Sequence, residues 1–335
     1  MLINHNAVTF KQTVDSLNRI SGPESEYIAA YTSCLASYAK QKNSSIIHAH
    51  SSYVNGIAAA RAANSLNIKS CYEVRGLWHL SRAIKEPLFD QSEHFHYCEK
   101  MELLACQMVD SVFTLTETLK QWLVANGINK SKITVVPNGV NENNLPQAAQ
   151  ETSPKKLTLG FIGTITQYEG LDIVIHALLT LKELNIELLI VGKGQYTRYL
   201  KNLTQELKLT EKVKFLGLLP KEEVKDIYQH VDVIMVNRTR SLLTELVSPI
   251  KHIEAFSFGK PCIISNLAAL LEAGKANVNS IVVEPDCIDA TAIAIQTLYH
   301  DRELLKKLAL NAPSIVQSDY NWNVIASRYL AVYNK

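Results

Sequence analysis

Two α/β domains, each a doubly wound parallel sheet, are predicted for this chain by three features of its sequence. Its 335 residues exceed one typical domain and suit two. Short runs rich in Ile, Val and Leu alternate with segments of helical periodicity. The alternation breaks once, in the polar stretch Asn141–Lys156 with Pro146 and Pro154, and then resumes. The expected domains are therefore 1–145 and 155–320, with a final helix over 321–335 expected to pack back on the first domain.

In the first half, Met1–Gly22 is polar and weakly patterned, and no strand is predicted there. Glu24–Gln41 carries a helical period through Tyr27, Ala30, Tyr31, Cys34, Leu35 and Tyr38. Ser45–Ser51 reads as a strand, the alanine-rich Val54–Leu66 as a helix, and Ile68–Val74 as a strand followed by a loop over Arg75–Trp78. Ser92–Val109 is a long amphipathic helix. Strand Ser111–Leu115, helix Glu117–Asn126 closed by Gly127, and strand Lys132–Pro137 lead to the Asn138-Gly139 turn. In the second half, strands are predicted at Leu157–Ile162, Ile186–Val191, Val213–Leu216, Val233–Val236 and Cys262–Ser265, and Leu267–Ala273 and Ser280–Glu284 continue the alternation. The helices between and after them are Gly170–Leu184, Tyr196–Leu207, Lys221–His230, Ala290–Tyr299, Arg302–Leu310 and Asn323–Tyr333.

The segment Thr244–Pro261, TELVSPIKHIEAFSFGKP, carries the most chemistry. It reads as a loop to Ser248, which caps a helix with Pro249 at its first position and a stop at Gly259. Lys251 then falls in the first turn, where a cation is unfavourable unless an anion sits at the helix start. Glu254 shares a face with Lys251, and Glu245 lies just ahead of the cap. An anion site flanked by carboxylates suits a sugar carried on a diphosphate. The plainer reading is a Lys251–Glu254 surface pair on an ordinary amphipathic helix.

Ligands of doubly wound sheets gather outside the carboxyl ends of strands. His48 and His50 end the first predicted strand on one face, with His50 nearer the loop and able to hydrogen-bond a phosphate or hydroxyl; either is equally a structural histidine. Arg75 could clamp an anion or pair with Glu73 within its own domain. Gly163–Gly170 (GTITQYEG, with Thr164 after the first glycine) and Gly192-Lys193-Gly194 are glycine-bearing turns, but neither completes a dinucleotide fingerprint or a P-loop. Arg238 and Arg240 end a strand and, with Lys251, could form a positive cluster for a diphosphate, or lie solvated at the surface.

Composition narrows the classes. A formal charge of +2, from 34 basic and 32 acidic residues, gives no general reason to expect nucleic acid as a partner. The six cysteines show no C-x-x-C spacing and suit reduced thiols. No metal-ligand spacing, D-x-D pair or G-x-S-x-G elbow is present, so neither metal nor cofactor is expected. With no signal pattern and no apolar run of membrane length, a cytoplasmic location is expected, with peripheral contact at the inner face of a membrane left open.

Several segments, in order, resemble the retaining glycosyltransferases of family 4, which have the GT-B fold. They are IIHAHSSYVNGIAAARAA, CYEVRGLW, ITVVPNGV, LGFIGTITQYEGLDIVIHAL, LLIVGKGQYTRYL, VKFLGLLPKEEVKDIYQHVDVIMV and TELVSPIKHIEAFSFGKPCIIS. The resemblance implies transfer of a sugar from a nucleotide diphosphate to an acceptor hydroxyl of a saccharide or lipid-linked glycan, without a metal, in surface polysaccharide or glycolipid assembly. Carried over by motif, Glu254 binds the donor ribose, Glu245 holds the sugar hydroxyls, and His50 lies near the donor sugar and phosphate. Gly163, Thr164, Arg238 and Lys251 fall on the donor side and Arg75 on the acceptor side.

There are departures. Glu245 and Glu254 are nine positions apart where eight is usual. Thr164 and Glu169 stand where the family has an arginine and a lysine, and Arg238 and Lys251 are expected to supply the missing charge. The glycine-rich loop that opens the family's first domain has no counterpart before His48, so that domain is expected to be incomplete. Two alternatives follow: a nucleotide-sugar-binding protein with little turnover, and a GT-B nucleotide-sugar epimerase.

Overall fold

The protein is described by a computed structural model covering residues 2–5, 8–11, 22–141 and 156–335. The polar stretch expected to link the domains lies, apart from its two ends, outside the described residues. Two compact units are found: Met1–Leu115 with Leu119–Val135, and Thr116–Thr118 with Val136–Lys335.

The first unit opens with β1 (Leu2–His5) and β2 (Val8–Lys11), an antiparallel hairpin that pairs Leu2 with Lys11 and His5 with Val8. This corrects the expectation of no strand before residue 22. The strands are only four residues each, too short to show an alternation. There follow α1 (Glu24–Gln41), β3 (Ile46–His50), α2 (Tyr53–Leu66), β4 (Lys69–Val74), α3 (Trp78–Ala83), α4 (Glu93–Met108), β5 (Ser111–Thr114), α5 (Glu117–Ala125) and β6 (Ile133–Val135). Strands β3-β4-β5-β6 form a parallel sheet in that order. The alanines of α2 let it lie close to its neighbours: Ala59, Ala62 and Ala63 pack with Ile47 of β3 and Ala39 of α1. Trp78, expected in a loop, instead begins α3, a helix too short to show a period.

The second unit runs β7 (Leu157–Ile162), α6 (Leu171–Thr180), β8 (Ile186–Val191), α7 (Thr197–Glu206), β9 (Val213–Gly217), α8 (Lys221–His230), β10 (Val233–Val236), α9 (Leu242–Leu246), α10 (Lys251–Ser257), β11 (Cys262–Ser265), α11 (Ala268–Leu271), β12 (Ser280–Val283), α12 (Ile288–His300), α13 (Arg302–Ile315) and α14 (Trp322–Tyr333). Its six parallel strands lie in the order β12-β11-β10-β7-β8-β9. Side chains alternate between two cores, as a sheet buried on both faces requires. Val233, Met235 and Ile263 join one core, with Leu178 of α6 and Ile295 of α12. Ile234, Val236, Cys262 and Ile264 join the other, with Phe256 of α10 and Ala312 of α13.

Candidate functional site

The order of the six-stranded sheet reverses between β7 and β10, the switch point where such sheets open a crevice at their carboxyl ends. Two glycines shape it. Gly163 closes β7 at φ +149° and Gly192 closes β8 at φ +130°, a backbone region that other residues rarely adopt. A Cβ on Gly192 would overlap the Gly163 carbonyl, and one on Gly163 would overlap the Lys251 side chain. The loops are stitched together by Gly163 N–H donating to the Val191 carbonyl (2.9 Å) and Ile165 N–H to that of Lys193 (3.1 Å). The two glycine turns, weak signals singly, thus form one structure.

Three charged side chains meet there. Lys251 Nζ lies 2.6 Å from Glu169 Oε1, and Arg238 Nη2 donates to the same oxygen at 3.0 Å. Arg238 Nη1 donates to the Val247 carbonyl at 3.0 Å, tying β10 to the segment before α10. Glu169 and Arg238 are buried, and the Lys251 side chain is 12% exposed. The Lys251 ammonium also lies 4.8 Å from the centre of the Phe161 ring, and the Arg238 guanidinium 5.3 Å from that of Tyr168. Burial alone would raise the Glu169 pKa, but Arg238 and Lys251 outweigh it and hold the carboxyl below its usual range. Burial pulls Lys251 down to about 8, with Glu169 opposing and Arg238 adding to the fall. Two cations on one carboxylate leave a net positive charge. Around it, Thr166 Oγ1, Glu169 Oε2, Asn237 Nδ2 and Arg238 Nε are buried without a hydrogen-bond partner among the described residues. Such groups are costly unless something polar meets them. Of these, Thr166 Oγ1, Asn237 Nδ2 and Arg238 Nε can donate to the oxygens of an anion, whereas Glu169 Oε2 can only accept.

Several expectations need correction. Ser248 does not cap the helix: its hydroxyl points to the Pro249 carbonyl, and the cap position is Ile250. Val247 is extended, with its carbonyl held by Arg238, so the chain turns helical only at Lys251. The resulting α10 has seven residues, so its dipole is short and the side-chain cations carry most of the charge. Arg238 is not a solvated surface arginine. Lys251 pairs with Glu169 and is not a surface partner of Glu254. Glu254 is partly buried, and burial raises its pKa while Lys251 and Lys221 oppose. Arg240 is exposed and bridges Glu245 and Glu284. Glu245 sits on α9, a helix started by the Ser241–Thr244 capping box, and its Oε2 accepts from Ala268 N–H at 2.9 Å. The structure therefore gathers Gly163, Arg238 and Lys251. Glu245 sits in a neighbouring network with Arg240, and Thr164 is exposed on the loop.

In the first unit, His48, His50 and Arg75 converge on the buried Glu73. His48 Nε2 and His50 Nδ1 lie 3.5 and 3.4 Å from Glu73 Oε2, and Arg75 Nη1 lies 2.7 Å from Oε1. The histidine rings stack at 4.7 Å, as expected for neighbours on one strand face. Burial and then His50 lower the His48 pKa to about 4, so it is neutral, whereas His50 is exposed. Arg75 makes the ion pair with Glu73 that was one of its two readings. The ligand atoms of His48, His50 and Glu73 fall within 4.8 Å of one another and have the chemistry to hold a metal ion, with Arg75 competing for the carboxylate. Glu169 was missed as a functional residue. The only hint in the sequence was an acid standing where a basic residue was expected.

The profile of Glycosyl transferases group 1 matches residues 144–314, and that of Glycosyltransferase Family 4 matches residues 7–144. An uncharacterized glycosyltransferase of Methanocaldococcus jannaschii is 27% identical over 73% of this chain and 64% of its own length. The amylovoran biosynthesis glycosyltransferase of Erwinia amylovora is 24% identical over 62% of this chain and 52% of its own. The chain thus spans less than two thirds of these curated relatives. Sucrose-phosphate synthase of Thermosynechococcus elongatus has a similar structure, with TM-score 0.83, 18% identity and coverage of 99% of this chain and 84% of that one. HepE of Anabaena in complex with UDP-glucose aligns with TM-score 0.74 and 16% identity, over 94% of this chain and 84% of that one. These likenesses agree with two Rossmann-like domains.

Proposed function

The chain belongs to the glycosyl transferases group 1, with a GT-B architecture of family 4 type, and on that premise we propose that it moves a glycosyl unit from a nucleotide-diphosphate sugar to an acceptor hydroxyl. The observation that carries this reading is the pair of buried cations, Lys251 and Arg238, held by Glu169 at the switch point of the second unit. Charge develops on the departing diphosphate during transfer, and fixed positive groups lower the barrier where it appears. Their positions are set by the fold before the donor arrives, so little reorganisation is needed at the moment of reaction. The complex of HepE with UDP-glucose supports a nucleotide-sugar donor.

Within this reading the anomeric configuration is retained. Glu254 takes the donor ribose hydroxyls, and Glu245 the hydroxyls of the sugar. A carboxylate offers about four acceptor positions, so Glu245 keeps lone pairs for a sugar despite Arg240 and Ala268. His50 and Arg75 in the first unit are assigned to the transfer step and the acceptor side. The acceptor is a saccharide or lipid-linked glycan, the setting is surface polysaccharide or glycolipid assembly, and the protein works in the cytoplasm at or near a membrane. The name of the Erwinia relative supports that setting. No described helix is long and apolar enough to cross a membrane.

Calorimetric titration with the diphosphates of uridine, guanosine, adenosine and thymidine, and then with their sugars, tests the reading. At least one is expected to bind, and turnover is expected when an acceptor is added. Binding without transfer under any acceptor would favour a nucleotide-sugar-binding protein, and no binding at all would overturn the reading.

A further inference from the structure

We propose that Glu169 is a positioning residue of the diphosphate pocket, whose buried carboxylate fixes the Lys251 ammonium and the Arg238 guanidinium without itself touching the ligand. The inference rests on the donor-binding reading above and goes beyond it by giving Glu169 itself a role in setting the charge and spacing of the two cations.

A carboxylate beside a phosphate site can act in two opposed ways. It can compete with the phosphate for the cations, or it can hold them. Competition requires a side chain that reaches the ligand's place or swings clear of it. Glu169 does neither, because it is 2% exposed and stands on a tight turn, Gln167–Glu169. That turn is pinned on both sides: Glu169 N–H donates to the Thr166 carbonyl at 3.2 Å, and Thr239 N–H to that of Tyr168 at 3.0 Å. One oxygen, Oε1, receives both cations. Lys251 comes from α10, Arg238 from the end of β10 and Glu169 from the turn after β7, so this single oxygen sets the spacing of charges from three elements.

The carboxylate also keeps the ammonium an ammonium. The charged groups facing Lys251 are Glu169, Arg238 and Glu254. His252, next on α10, is neutral, since burial lowers it to about 3. Burial and Arg238 both favour the uncharged amine, and Glu169 is the stronger of the two carboxylates opposing them. Without it, Lys251 would lose its proton within the neutral range and the pocket would lose half its cationic charge.

The test uses the full chain and Glu169→Gln, which keeps the shape and removes the charge. The Lys251 Nζ resonance is titrated by heteronuclear NMR with no nucleotide present, against an otherwise identical Lys251→Arg sample for assignment. The midpoint is expected to fall below the wild-type value of about 8 by roughly one pH unit or more. Affinity for whichever nucleoside diphosphate binds the wild type is then compared at two pH values. Between about pH 6.5 and pH 8.5 the variant should lose about tenfold more affinity than wild type, and Lys251→Arg in the same background should abolish that extra loss. Should the glutamine variant fail to fold, Glu169→Asp draws the charge back by one carbon and should give a smaller shift in the same direction. An unchanged Lys251 midpoint, or a variant that binds more tightly at every pH, overturns the proposal. Since the NMR titration needs no nucleotide, a wild type that binds none would sink the donor reading while the positioning role is still decided by the midpoint.

Discussion

Lys251 is a cation placed where an isolated residue would not stay charged, and its neighbours decide what it can do. Burial holds its pKa near 8, so its attraction for an anion is full below that value and fades as pH rises through it. Nucleoside diphosphate binding should therefore weaken on going from neutral to mildly alkaline solution, and isothermal titration across that range checks it; affinity flat with pH would contradict the assignment. Arg238 differs in kind. Its fork spans the Val247 carbonyl and Glu169 at once, which a lysine cannot reproduce. Arg238→Lys should lower nucleoside diphosphate affinity by about 1–2 kcal/mol while keeping the formal charge, as calorimetry would show. At this scale the sequence told part of the story. Lys251 and Arg238 were legible as cations after a strand and at a helix start. That they share Glu169 was not, because the three come from separate elements: the pairing of β7 with β10 brings the Glu169 turn beside Arg238, and Lys251 reaches them from α10.

The elements were legible in proportion to their length and burial. Strands β7, β8, β10 and β11 fall where the apolar runs placed them, because a parallel strand covered on both faces is a continuous apolar run. The helix expected over Gly170–Leu184 stops at Thr180, and α3 and α9 were missed because a helix of five or six residues shows no period. The start of α10 was misplaced because a Ser-Pro pair resembles a cap, whereas Val247 is extended with its carbonyl bound by Arg238 and the helix begins only after Ile250.

Two predictions belong at this scale. Gly192→Ala places a methyl group on the Gly163 carbonyl at a positive φ, so it should destabilise the second unit by about 2 kcal/mol or more, measured by urea unfolding. The other concerns Glu102 of α4, which accepts from the Tyr72 hydroxyl of β4 at 2.6 Å and from Tyr53 N–H at the start of α2 at 3.1 Å. Burial raises it to about 7 despite those two donors. A carboxyl raised above its unfolded value contributes stability that is fully present below about pH 4.5 and is lost as pH rises through about 7. Over that window wild type should lose on the order of 3 kcal/mol of stability relative to Glu102→Gln, which has no proton to lose. A difference that does not change with pH would count against the assigned burial.

For the molecule as a whole, family and two-domain architecture were readable because many motif segments recur in order, and the profiles cover both halves. The pairing of β1 with β2 was not, since each strand has only four residues. The proposed chemistry draws its positive charge from side chains, so a chelator should leave donor hydrolysis or transfer unchanged in a kinetic assay, and a strong loss would direct attention to His48, His50 and Glu73. The central claim is that the cations beside the Gly163 loop hold the donor diphosphate. Its most direct test is calorimetry of the preferred nucleoside diphosphate with wild type and Lys251→Ala near neutral pH. The account predicts a loss of roughly 1–3 kcal/mol, or about fivefold to 150-fold in affinity. Equal affinities in the two proteins would contradict it.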